Sequence, residues 1–169
     1  MKLKRCDNFN LDFQALVTQL DAELALRDGD DHAFYHQFNG INQLKRVVVA
    51  YDDKGRPMAC GAFKKRSATQ VEIKRMFTTN TARKKGHAKL VLTELERWAA
   101  VLNYAVAVLE TGKAQTEALS FYPKNGYSIT SMKLMPIVNK RITAPSTIHN
   151  RERKYSRWVK WRSFFSVLR

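Results

Sequence analysis

Apolar residues recur at intervals of three and four between residues 11 and 27. Phe13, Leu16, Val17, Leu20 and Leu24 fall on one side of a 3.6-residue helix. Asp28-Gly29-Asp30-Asp31 breaks the pattern; Gly29 suits a helix C-terminus, and Asp30 or Asp31 suits the start of a short second helix over 31–38. The periodicity then changes. Residues 47–51 are β-branched and continuous, 52–57 form a turn cluster and 58–64 resume an extended pattern, which predicts a hairpin. In 71–77, Val71, Ile73 and Phe77 alternate with Glu72, Lys74 and Met76, as in a half-buried strand. After Gly86, the residues Ala88, Val91, Leu92, Leu95, Trp98, Ala99 and Leu102 give the strongest helical stripe in the chain, with Asn103 as a left-handed terminator. Residues 105–109 have no polar interruption and read as a strand covered on both faces. Strand, helix and strand in this order predict a crossover between two parallel strands. A helix over 116–124, closed by Asn125-Gly126, and a strand over 127–134 follow.

Composition narrows the class. A chain of 169 residues with 44% hydrophobic residues is one domain, or one domain with a tail, and can bury a core. Cys6 and Cys60 make neither a disulfide framework nor a metal knuckle, and the first residues hold no apolar run that reads as a leader or membrane span. The expected location is cytoplasmic. The net charge of +15 is uneven: residues 131–169 carry ten Lys or Arg against one acid, Glu152. The basic excess therefore points chiefly to a distinctive tail.

Chemistry concentrates at A-R-K-K-G-H-A, residues 82–88, between a predicted strand and the best predicted helix. A basic glycine turn entering a helix aims free backbone N–H groups and the positive end of the helix dipole at one spot, which suits a phosphate or pyrophosphate. A helix start with a solvated basic face has the same local sequence. Two further strings separate these readings: V-L-E-T-G at 108–112 and A-L-S-F-Y-P-K-N-G-Y at 118–127. Together with E-I-K-R-M-F-T at 72–78 and the basic loop, they resemble the GNAT superfamily of acyl-CoA-dependent N-acetyltransferases. Arg83, Gly86 and Ala88 match its pyrophosphate loop, and Ala118, Tyr122, Gly126 and Tyr127 match its later helix and turn.

The resemblance implies an α/β (α+β) fold with a mixed, mostly antiparallel sheet, helices on both faces, and parallel fourth and fifth strands splayed into a coenzyme A cleft. It implies direct acetyl transfer from acetyl-CoA to a primary amine of a small molecule, with no metal. The cofactor would be held by Met76, Phe77 and Thr78, by Arg83, Lys84, Lys85, Gly86, His87, Ala88 and Lys89, and by Gln115 and Tyr122. The backbone at 76–78 would bond the pantetheine arm and polarise the thioester carbonyl. Tyr122 matches the tyrosine that protonates the leaving thiolate; Glu72 or Glu110 is expected as base, unless water carries the proton. Asp28, Asp30, Asp31 and Tyr35 border the expected acceptor site, although a helix-capping cluster explains the aspartates almost as well. His32 and His36 lack a third ligand at suitable spacing and read as a surface pair.

These readings divide the chain into an acetyltransferase domain at 1–130 and a basic, aromatic extension at 131–169, with a poor candidate for the last sheet strand at 140–143. Within the extension, Trp158, Trp161, Phe165 and Leu168 share one side of a helical pattern. Packing of that side on the domain, or a tail without function, is favoured over contact with nucleic acid or a membrane. Protein-lysine or aminoacyl-tRNA acetylation, with the tail as docking arm, and nucleic-acid binding on the same scaffold are the alternative functions. A homodimer is compatible with the sequence.

Overall fold

The structure, a computed structural model, describes residues 1–28, 40–112, 115–131 and 137–143. The predicted second helix, the residues Asp30, Asp31, Tyr35, His32 and His36, and the aromatic tail lie outside the described residues, as does the side chain of Asp28.

Among the described residues, seven strands form one sheet: β1 Lys2–Cys6, β2 Arg46–Tyr51, β3 Pro57–Lys65, β4 Gln70–Thr78, β5 Val106–Glu110, β6 Ser128–Ser131 and β7 Ile137–Arg141. Their order is β1-β2-β3-β4-β5-β7-β6. Every pairing is antiparallel except β4–β5. The mixed sheet, the parallel central pair and helices on both faces match the expected class.

Three α-helices cover the sheet among the described residues: α1 Leu11–Asp28, α2 His87–Val101 and α3 Thr116–Lys124. Asn10 caps α1, its Oδ1 accepting the Phe13 N–H at 2.9 Å. The α1 stripe buries Phe13, Leu16 and Val17 against Val47, Val49, Cys60, Ala62 and Phe77. On the opposite face, Val91, Leu92, Leu95 and Ala99 of α2 pack with Val48, Phe63, Val71, Ile73, Ala107 and Leu109. Asn103 ends the α2 segment at φ 65°, in the left-handed conformation its sequence suggested. Cys6 and Cys60 are free thiols. Cys60 is fully buried and its thiol is pushed up to about 12 by desolvation, which suits a core residue and not a nucleophile.

Three features differ from the sequence reading. First, β1 is an edge strand that the alternation did not reveal; its Lys2, Lys4 and Arg5 belong to an edge open to water on one side. Second, β7 falls at Ile137–Arg141, not 140–143, inside the segment taken as an extension, and it sits between β5 and β6. A sheet strand is therefore present where only a poor one was expected. Third, β4 carries a bulge. Cys60 pairs with Phe77 and Ala62 with Lys74, so Arg75 and Met76 share one partner, Gly61, and Arg75 takes φ 57°. The extra residue reverses the alternation: Val71 and Ile73 face α2, whereas Phe77 faces α1.

Candidate active site

The bulge lies where β4 and β5 part. Their parallel pairing covers only Gln70–Glu72 opposite Val106–Val108. Beyond it, Leu109 and Glu110 pair with β7 alone, while Phe77 and Thr78 pair with β3 alone. The edge of β4 that faces β5 is thereby released at Met76–Thr78. The anchor that turns α1 toward this gap is Arg75. Its guanidinium, 5% exposed, meets the Asp21 carboxylate of α1 through two bonds of 2.7 and 2.8 Å.

A cleft of about 630 Å³ opens at the parting. Its floor is Met76, Phe77 and Thr78, and one wall is the turn into α2 with Ala82, Arg83, Lys84, Gly86, His87, Ala88 and Lys89. Leu20, Glu23, Leu24 and Arg27 of α1 form a second wall. Gln115, Glu117, Ala118, Phe121 and Tyr122 of the α3 region form a third. Eleven of the twelve residues expected around the cofactor line this space; Lys85 does not.

The local chemistry of the turn follows from its backbone. Gly86 has φ 84°, a conformation that glycine reaches without penalty, and no atom lies within 4 Å of the place a Cβ would occupy. Lys84 is also left-handed, at φ 60°. The helical ladder begins with the Leu90 N–H on Gly86 O at 3.1 Å, so the N–H groups before Leu90 precede it. His87 adds a buried Nδ1 that has no partner among the described residues. Cations and oriented donors thus meet at one end of the cleft, an arrangement fitted to a doubly charged phosphate group.

At the other end stands Tyr122, 6% exposed, its ring edge-to-face with Phe121 and Tyr127 at 5.2 and 5.4 Å between centroids. Burial pushes its phenol above the ordinary value, so the hydroxyl stays protonated. Pro123 is accommodated in the last turn of α3 and leaves Tyr122 helical. Gln115 is oriented by Thr111, whose hydroxyl donates to Gln115 Oε1 at 3.0 Å.

Residues 43–129 match the acetyltransferase (GNAT) domain family. The chain belongs to the GNAT family of acetyltransferases. Solved structures repeat its fold. A Klebsiella pneumoniae protein assigned as an acyl-CoA N-acyltransferase is 22% identical, with a TM-score of 0.69 over 83% of this chain and 97% of its own. The PaiA N-acetyltransferase of Thermoplasma acidophilum, in complex with coenzyme A, is 16% identical with a TM-score of 0.64 over 83% and 99%. An aminoglycoside 6′-N-acetyltransferase complexed with coenzyme A is 18% identical with a TM-score of 0.64 over 86% and 100%. No curated protein sequence matches the chain significantly.

In this GNAT chain the two carboxylates expected as base stand away from the cleft. Glu72 lies on the paired part of β4, four residues before Met76 and on the other side of the bulge. It bridges Lys64 at 3.3 Å and Lys74 at 3.1 Å. Burial opposes its charge, yet Lys74 and Lys64 outweigh burial and hold the carboxyl below its ordinary value. Glu110 pairs with Arg66 at 3.5 Å, and β7 pairs with only one edge of β5 there. Neither lines the cleft. The carboxylates that do are Glu23 and Glu117, both overlooked in the sequence. Glu23 had a signal in its spacing: Leu20, Glu23, Leu24 and Arg27 continue the apolar stripe of α1, where charges mark a lined cavity; Glu117 had none.

Proposed function

We propose that this protein is an acetyl-CoA-dependent N-acetyltransferase that acetylates a primary amine of a small molecule. The observation that carries this reading is the parting of β4 and β5 directly beside the left-handed Gly86 turn. It joins a free strand edge to an anion-binding helix start within one cleft. The family supports acyl transfer, and the fold neighbours complexed with coenzyme A support the cofactor.

The residues fit such a cofactor. The first-turn N–H groups of α2, the space left by Gly86, and Arg83, Lys84 and Lys89 would hold the diphosphate. Apolar Leu20, Leu24, Met76, Phe77 and Ala118 suit the arm. When bound, acetyl-CoA supplies an acyl carbon activated as a thioester. The released backbone N–H groups at 76–78 polarise a carbonyl placed on that edge, a role that needs no particular side chain. Tyr122, kept protonated by burial, donates a hydrogen bond to sulfur as it gains charge. Since Glu72 and Glu110 are held elsewhere, water is the better carrier for the proton lost by the amine. A cytoplasmic location belongs to the same proposal.

Calorimetry with coenzyme A tests the binding, and thiol release from acetyl-CoA across a panel of primary amines tests the reaction. No binding at millimolar coenzyme A overturns the reading. Tyr122→Phe is expected to lower kcat about 10²-fold or more, the scale of general acid catalysis, with little change in coenzyme A affinity. A parental kcat removes Tyr122 from the reaction.

A further inference from the structure

Arg83 does not wait free for an anion. Its Nη2 donates to both oxygens of Glu23 at 2.7 and 2.6 Å, and its Nε donates to Thr78 O at 3.2 Å. Glu23 comes from α1, sixty residues earlier in the chain, and both side chains line the cleft. Arg27 is the other cation near Glu23, with Nη2 at 3.9 Å, outside hydrogen-bond reach. It is held by Glu117 of α3 through bonds of 3.0 and 3.3 Å. Each of the two arginines lining the cleft therefore has its own carboxylate.

A diphosphate arriving at the Gly86 turn changes that balance. It presents at least two negative charges to the guanidinium that Glu23 occupies, and a carboxylate beside a phosphate is repelled. Arg83 fits a phosphate bidentately as well as a carboxylate, so the more highly charged anion takes it. Glu23 is then left partly buried, 26% exposed, with its cation withdrawn. Such a carboxylate recruits a new cation.

We propose that Glu23 is a counter-ion displaced from Arg83 by the cofactor, and that once displaced it docks a cationic group of the acceptor remote from the amine that is acetylated. This rests on the reading of the cleft as a coenzyme A site. It makes Glu23 a specificity residue: an acceptor with a second cationic group is received, whereas one with a carboxylate at that remote position is repelled. It also couples the two ligands, because the carboxylate becomes available only when Arg83 has turned to phosphate.

The test is a double-mutant cycle with coenzyme A binding read by calorimetry. Glu23→Gln keeps shape and removes the competing charge, so coenzyme A should bind about two- to fivefold tighter, the scale of a partly exposed ion pair. In an Arg83→Gln background the same substitution should tighten binding clearly less, because no guanidinium remains to be released and only the repulsion between carboxylate and phosphate is removed. The second arm follows propylammonium by ligand-observed NMR. Its lines should broaden with the wild-type protein when coenzyme A is present, and much less without coenzyme A or with Glu23→Gln. Unchanged coenzyme A affinity in Glu23→Gln, equal tightening in both backgrounds, or broadening independent of coenzyme A or of Glu23 overturns the inference. A wild-type protein that binds no coenzyme A fails earlier, and then the cofactor reading itself is lost.

Discussion

Single residues decide what the cleft can hold. Gly86 is such a residue, since its φ of 84° places the α2 start where a side chain would be strained although not crowded. Gly86→Glu should cost the fold only about 1–2 kcal/mol and yet remove coenzyme A binding, because it adds strain and a negative charge at the anion end. Unaltered affinity by calorimetry would count against the turn as phosphate site. Glu72 supplies a pH signature of a different kind. Its folded carboxyl titrates below the ordinary value of 4.5, so its ion pairs stabilise the protein above that pH. The contribution disappears as pH falls through the folded value. Urea denaturation should show wild type more stable than Glu72→Gln at pH 7, with the gap shrinking below about pH 4.5. A gap that stays constant to pH 3 would show that the pairs with Lys64 and Lys74 contribute nothing.

At the scale of elements, local pattern identified most of what surrounds the cleft. The helical stripes of α1 and α2, the hairpin of β2 and β3 and the crossover into β5 each bury a regular set of positions, and regular burial leaves a period in the sequence. The bulge in β4 left none. It depends on Gly61 of the neighbouring strand, on Asp21 of α1 and on a left-handed arginine, contacts that no window along the chain contains. That is why Glu72 read as a residue of the cleft: without the bulge, its strand would run on beside β5. Strands β1 and β7 were missed or misplaced for a related reason. β1 is rich in lysine and arginine and β7 is short, and both are strands because a neighbour supplies hydrogen bonds. Gly61 makes the packing dependence measurable. A Cβ there would lie 2.9 Å from Leu95 Cδ1 and 3.0 Å from Val91 Cγ1, with Met76 nearer still. Gly61→Ala should therefore cost about 1–3 kcal/mol and shift Met76, lowering coenzyme A affinity along with stability. If chemical denaturation finds it neutral, α2 can retreat from the sheet and the bulge is softer than its contacts imply.

For the whole molecule, the cleft draws its walls from three helices and the edge of one strand, so filling it should tie distant segments together. Coenzyme A binding only the folded chain should raise unfolding free energy by about 2.7 kcal/mol at a concentration one hundred times Kd. Thermal melts with and without coenzyme A read this directly; an unmoved midpoint at saturation would mean the unfolded chain binds as well. The family and the fold class were legible at this scale because three short strings occur in order and at fixed separations. The pairing of Glu23 with Arg83 was not legible, since a contact across sixty positions leaves no trace in the sequence, although the place of Glu23 on the α1 stripe does.

The placement of β7 bears on how the chain is made. β5 has five register pairs with β7 but only three with β4, so its firmer support is almost the last described piece to leave the ribosome. A nascent chain that has emerged only to residue 131 holds β6 without its neighbour and β5 with one flank bare. Completion of the sheet then waits until residues 137–141 have emerged, and chains cut short before residue 137 should enter aggregates through that bare flank.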